Sequence, residues 1–230
     1  RSLDTYLTSR TFESKRENAL MYNDGQGYIR YQKGSLIFYA LSDYIGEKKL
    51  NKALSKYVQK VAFQEPPYTT SIDLVNHVKE VTPDSLNYLI KDMFETITLY
   101  QNRVIESTVS ELKNGKYKVD IEFEVSKYRN NEKGRMFYGN EERDSISYKT
   151  DKMKKPQYSV YLSDYIDIGI FGEDNDENEI ELYLKKHKIS SINNKITLIV
   201  DKKPVEVGVD PYNKLIDTNS EDNRKKITSK

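Results

Sequence analysis

The chain has 230 residues, long enough for one large domain or two smaller ones. Its 37 basic and 36 acidic side chains leave a formal charge of +1, so no long-range field of one sign directs it to nucleic acid or to an anionic membrane. The absence of cysteine excludes disulfides, thiolate metal sites and a cysteine nucleophile, and no apolar run approaches the ~20 residues of a membrane span.

The N-terminal Arg1-Ser2-Leu3-Asp4 has neither an initiator methionine nor the apolar core of a signal peptide, and reads as a processed product or an excised piece. Residues 1–97 carry the helical period. Gly27-Tyr28-Ile29-Arg30-Tyr31-Gln32-Lys33-Gly34 leads into an apolar helix over Ser35–Gly46, ended by a glycine free to take positive φ. Leu50, Ala53, Leu54, Tyr57, Val58 and Val61 then form an amphipathic stripe opposed by Lys49, Lys52, Lys56 and Lys60. Pro66-Pro67 breaks the pattern. Thr70 or Ser71 caps a helix over Ile72–Val81 with Leu74, Val75 and Val78 inward. Thr82 caps a last helix, with Pro83 at its first position and Leu86, Leu89, Ile90, Met93 and Phe94 facing the core. A bundle of antiparallel helices is expected.

From residue 98 the period changes to two. Tyr117, Val119, Ile121, Phe123 and Val125 alternate with Lys118, Asp120, Glu122 and Glu124, and Asn114-Gly115 pairs this strand with Arg103–Leu112 as a hairpin. Further strands are expected at Ser145–Lys149, Tyr158–Leu162, Asp164–Phe171, Ile180–His187, Lys195–Val200 and Val205–Val209, a spacing that argues a β-sandwich. The polar tail after Asp217 is expected to lie over the surface or fray. The fold class is therefore α+β in two domains: an antiparallel helical bundle over 1–97, then an antiparallel β-sandwich over 98–230 with a polar tail.

Self-contained active sites are missing. His77, in Asn76-His77-Val78-Lys79-Glu80, has no second histidine four residues away, and His187 stands among Lys185, Lys186 and Lys188. A helical H-E-x-x-H zinc site is therefore excluded, and no metal ligands are assigned. The acidic run Glu173–Glu179 fails the calcium-loop test, since a loop begun at Asp174 puts Glu179 where glycine is needed and Lys185 where the bidentate glutamate belongs. A loop begun at Asp217 fails likewise, with Asp222 and Thr228 at those places. Both stretches read as solvated loops. Neither a nucleophile elbow nor a phosphate-binding glycine loop occurs.

One segment carries a resemblance. Tyr31-Gln32-Lys33-Gly34, the apolar helix to Tyr44-Ile45-Gly46-Glu47, then Leu50, Ala53-Leu54 and Tyr57, is similar to the aminopeptidase-N-like zinc metallopeptidases, the gluzincins. Ala62-Phe63 and Thr70-Ser71-Ile72-Asp73-Leu74 continue the likeness, which covers residues 1 to about 95. In that family a Tyr-Glu-Lys-Gly segment lies downstream of the zinc-binding helix. Its tyrosine donates to the oxyanion formed when zinc-bound water attacks the peptide carbonyl. The resemblance puts that catalytic role on Tyr31, and makes Lys33 and Gly34 structural, Gly34 letting the helix start approach a neighbour closely. Gln32 departs from the family's glutamate. The family's second tyrosine, five residues earlier, falls on Gln26, and Tyr28 is the nearest substitute for substrate binding.

The zinc ligands, general-base glutamate and amino-end recognition motif of the family have no counterpart here. The resemblance thus implies a C-terminal fragment of a zinc-dependent aminopeptidase, holding no cofactor itself and inactive alone. Zinc and a peptide substrate belong to the parent, and the fragment's partner is the upstream catalytic lobe of the same polypeptide. Phe94–Tyr100 and Gly208–Tyr212 look like a bacterial branch in which the peptidase comes after transporter-permease-like membrane segments. The segment itself is expected to be soluble, with an exposed apolar patch on its helices and self-association as one consequence. The alternative is a non-catalytic recognition or scaffold module of a membrane-associated assembly.

Overall fold

A computed structural model describes residues 2–130, the backbone of 136–137, and 160–227. Within these, the fold is α+β, with helices first and two antiparallel four-stranded sheets after them. The chain order is α1 (Ser2–Thr11), α2 (Gly34–Leu41), α3 (Glu47–Val61), α4 (Ser71–Val81) and the short α5 (Asn87–Ile90), then β1 (Ile97–Glu111), β2 (Tyr117–Asn130), β3 (Met136–Phe137), β4 (Asp164–Glu173), β5 (Glu179–Ile189), β6 (Asn193–Val200), β7 (Pro204–Val209) and β8 (Arg224–Lys226). Chain contacts gather the described residues into two compact units. One lies within Arg1–Thr98, Arg129–Met136 and Lys214–Ile216, the other within Leu99–Tyr128, Phe137–Asn213 and Asp217–Lys230.

The first unit is built on the apolar stripes. Ile37, Ala40 and Leu41 of α2, Leu50 of α3, Val75 and Val78 of α4, and Leu89, Ile90 and Phe94 pack into one buried cluster. Two π-helical turns, Ile29–Lys33 and Ser42–Gly46, flank α2, and Gly46 at φ 95° turns the chain into α3 as its position predicts. Helix α4 opens with a capping box, the Thr70 N–H donating to Asp73 Oδ2 at 2.8 Å. That hydrogen bond holds the Asp73 carboxyl below its usual range.

Two helix expectations need correction. Thr82 does not open the last helix. Its hydroxyl donates back to Val78 O at 2.8 Å and closes α4, because a hydroxyl near a helix end is offered an unpaired carbonyl before any N–H. Pro83 accordingly precedes the next turn, Asp84–Leu86, with ψ 145°, and is not its first residue. Gly34 has no close neighbour, since an added Cβ would meet only Ile29 O at 3.8 Å, an ordinary contact. Close approach does not explain this glycine.

Unit two carries both sheets. In the first, β2 lies between β1 and β6 and also pairs with β3. The alternation in β2 is realised in register: Val119 faces Leu198 and Ile121 faces Ile196, while Asp120 meets Thr197 and Glu122 meets Lys195. Like sides therefore share a face, apolar with apolar and charge with partner. Gly115 takes φ 76° in the hairpin turn. The second sheet runs β5-β4-β7-β8. Central β4 is buried almost throughout, and its Gly169 pairs with Gly208 of β7. Cβ atoms there would stand 2.7 Å from the Phe171 ring and 2.7 Å from Pro211, so both glycines are required by close approach.

Strand β1 begins six residues before the predicted Arg103, because Ile97–Tyr100 are buried on both faces and show no alternation. Val160–Leu162 are not in a strand, contrary to the expectation for Tyr158–Leu162, whose first two residues lie outside the described residues, as does all of Ser145–Lys149. Over its described length the tail after Asp217 does not fray and lies mostly at the surface, held there by the residues at its start. Asp217 is fully buried, bridges in parallel to Tyr100 and accepts the Asn102 N–H at 2.7 Å. Beyond it, β8 adds to β7. A buried carboxylate that accepts main-chain N–H groups anchors the segment where composition reads only polarity.

Candidate functional site

Tyr31 and Tyr28 stand on the helical run that enters α2. The Gly34 N–H reaches back five residues to Ile29 O, which makes Ile29–Lys33 a π-helical turn rather than a regular one. Tyr31 is 66% exposed, its phenol open to solvent and its ring 5.9 Å from the Arg30 guanidinium. Two residues on, Lys33 is completely buried. The turn thus shows one aromatic face to water and drives a cation into the interior.

What receives that cation is a polar cluster that sequence reasoning did not find. Tyr6 of α1 donates to Glu17 Oε1 at 2.5 Å, and Arg10 Nε donates to Glu17 Oε2 at 2.7 Å. Lys33 Nζ lies 5.7 Å from the centre of the Tyr6 ring, within cation–π range, and has no hydrogen-bond partner among the described residues. Burial lowers the Lys33 ammonium to about 8, with Arg10 adding to the fall and Glu17 opposing it. The Tyr6 phenol moves the other way, raised well above its usual value by burial and then by Glu17. A lysine is ordinarily solvated, so no sequence signal marks Lys33 as interior; its neighbours Tyr6, Arg10 and Glu17 lie more than fifteen residues upstream and share no motif with it.

Tyr28 belongs to this cluster. Its ring stacks on Tyr6 with centroids 6.0 Å apart, and its hydroxyl is buried. Burial, then the Glu17 and Glu13 carboxylates, raise its pKa. Tyr28 therefore faces the interior while Tyr31 faces water, and the two phenols do not converge on one point. Gln26, at the place of the family's second tyrosine, fastens the 13–18 loop. Its side chain donates to Glu13 Oε2 at 2.7 Å and Arg16 O at 3.0 Å, and accepts from the Asn18 N–H at 3.0 Å.

Metal chemistry finds no seat among the described residues, where no group of three His, Asp or Glu side chains is placed to hold an ion. His77 Nδ1 lies 2.7 Å from Asp73 O with its ring edge-on to Tyr57, and His187 Nε2 bonds the Tyr183 hydroxyl at 2.7 Å. The acidic stretch is a tight turn: Asp174 Oδ1 accepts the N–H groups of Asp176 and Asn178, both at 2.9 Å, which keeps its carboxyl below the usual range.

The fold and site define a helical unit that presents an exposed phenol over a buried lysine cluster, together with a sheet-rich unit. No family model matches the chain, and no curated protein matches it.

Proposed function

We propose that the chain is the closing part of an aminopeptidase-N-like zinc metallopeptidase, with Tyr31 as the donor to the oxyanion of the peptide carbonyl under attack. On this reading the helices end a thermolysin-like catalytic domain, and the two sheets form a separate β-sandwich domain. The observation that carries it is the solvent-facing Tyr31 phenol on a helical turn whose next residues, Lys33 and Gly34, complete the Tyr-Gln-Lys-Gly segment. A phenol held on a rigid helix start is preorganised for such donation, and the buried Lys33 pins the turn that carries it. The described residues do not fit a zinc ion, so activation of the attacking water lies outside what they do.

The test uses the peptidase that contains this chain. Tyr31→Phe should lower kcat by ~10²–10³ with KM little changed, the loss of one oxyanion donor. Unchanged turnover would remove Tyr31 from the chemistry, and absence of any peptide hydrolysis by the wild-type protein would leave the recognition or scaffold reading in its place.

A further inference from the structure

We propose that the exposed side of α3 and the turn after it form a docking surface for an anionic lipid bilayer. The near-zero net charge of the chain conceals a local excess. Helix α3 carries Lys48, Lys49, Lys52, Lys56 and Lys60, all exposed, against a single acidic residue, Glu47, in its first turn. Lys49, Lys52, Lys56 and Lys60 are spaced by three- and four-residue steps, so they run as one row along the helix. None of the five forms an ion pair with a described carboxylate, though Lys60 lies close enough to Asp73 to help lower its pKa. A row of unneutralised cations matches a surface of phosphate headgroups.

At the C-terminal end of the row the chain enters a strained turn. Ala62 (φ −60°, ψ 127°) and Phe63 (φ 59°) are its central residues, and the Gln64 N–H closes it by donating to Val61 O at 3.2 Å. These angles make it a type II turn, whose third position favours glycine because φ is positive. Phenylalanine there is strained, and its ring is fully exposed. The chain accepts two unfavourable features at once to hold an aromatic side chain in water. Exposed Tyr68 and Ile72 follow in the chain beyond Pro66 and Pro67, and Glu65 is the one acidic residue of the turn. Cations beside an exposed apolar tip are the composition of an interfacial membrane contact. A nucleic acid would take the lysines but offers no apolar interior for the exposed Phe63 ring. This surface uses different residues from Tyr31 and stands independently of the peptidase reading.

The experiment is co-sedimentation of the 230-residue chain with vesicles of phosphatidylcholine alone and of an equimolar phosphatidylcholine and phosphatidylglycerol mixture. Binding is expected to the mixed vesicles only, and to disappear near ~1 M salt. The double variant Lys52→Glu, Lys56→Glu should weaken it at least about tenfold. Phe63→Gly should weaken it about fivefold while leaving the melting temperature equal or higher, since glycine relieves the turn. That second variant separates lost docking from lost folding. No binding to the mixed vesicles, equal binding to both vesicle types, indifference to both variants, or binding to duplex DNA in place of vesicles would each overturn the proposal.

Discussion

Lys33 shows how a single residue reverses its ordinary role. Its Nζ is held by the Tyr6 ring face and the field of Glu17 instead of by water. Burial of a cation without a hydrogen bond costs stability for as long as the cation exists. With a folded pKa of about 8 against an ordinary 10.5, the unfolded chain binds more protons between those values. Stability should therefore rise with pH over that window, until unfolded tyrosines begin to ionise near ~10. Lys33→Met should be more stable than the wild type by about 1–3 kcal/mol at pH 7, and the gap should close as pH rises above about 8. Denaturant titrations at several pH values read both effects, and a constant gap would locate the cost elsewhere. The apolar helix that follows Tyr31 is legible in the sequence. The Tyr6–Glu17–Arg10 cluster is not, because nothing local tells a lysine or glutamate that its partner waits across a loop.

At the scale of elements, periodicity is the strongest signal. The stripe of α4 and the alternation of β2 reappear as buried faces. That of α3 does so at Leu50 and Ala53, while Val58, expected in the same stripe, is exposed because no described residue packs over it there. Helix ends are less legible. The sequence offers Thr70 or Ser71 as the cap of α4; Thr70 takes that place, and Asp73 completes the box. Asp73→Ala should destabilise the protein, a loss that shrinks at pH values low enough to protonate Asp73 in the wild type. Chemical denaturation at pH 7 and at pH near ~3 distinguishes these outcomes. Thr82 has the same chemistry as Thr70 but bonds backward to Val78, and composition cannot choose between a cap and a stop when both ends are near. The π-helical turns Ile29–Lys33 and Ser42–Gly46 are likewise invisible along the chain.

Across the whole molecule, distant segments supply partners that the linear order conceals. Arg129 Nη2 meets Asp92 Oδ1 at 2.8 Å, and Lys214 Nζ meets Asp43 Oδ1 at 2.6 Å, which assigns short pieces from late in the chain to the helical unit. In the sheet unit Lys127 pairs with Asp164 at 2.9 Å, both buried, and Tyr100 donates to the same carboxylate at 2.7 Å. The polar tail is captured by Asp217. Burial pushes this carboxyl up to about 7, even though the Asn102 and Asn219 N–H groups favour its charged form. The folded state then holds a proton that the unfolded state has released above pH about 4, so stability falls as pH rises from there to about 7. Asp217→Asn should abolish that component, narrowing its own disadvantage or gaining by up to about 4 kcal/mol at pH 7 relative to pH 4. Equal pH slopes in the two proteins, measured by urea unfolding, would show that Asp217 stays ionised.

Linear order alone is enough to place helices before strands and to choose most of the faces those elements bury. Each of these comes from local periodicity and local chemistry, which neighbouring residues express together. Packing in three dimensions was needed to make Lys33 interior, to hold Phe63 in water beside a lysine row, and to tie down a polar tail with a buried aspartate. Charge and burial depend on what is near in space, and no count along the chain contains that distance.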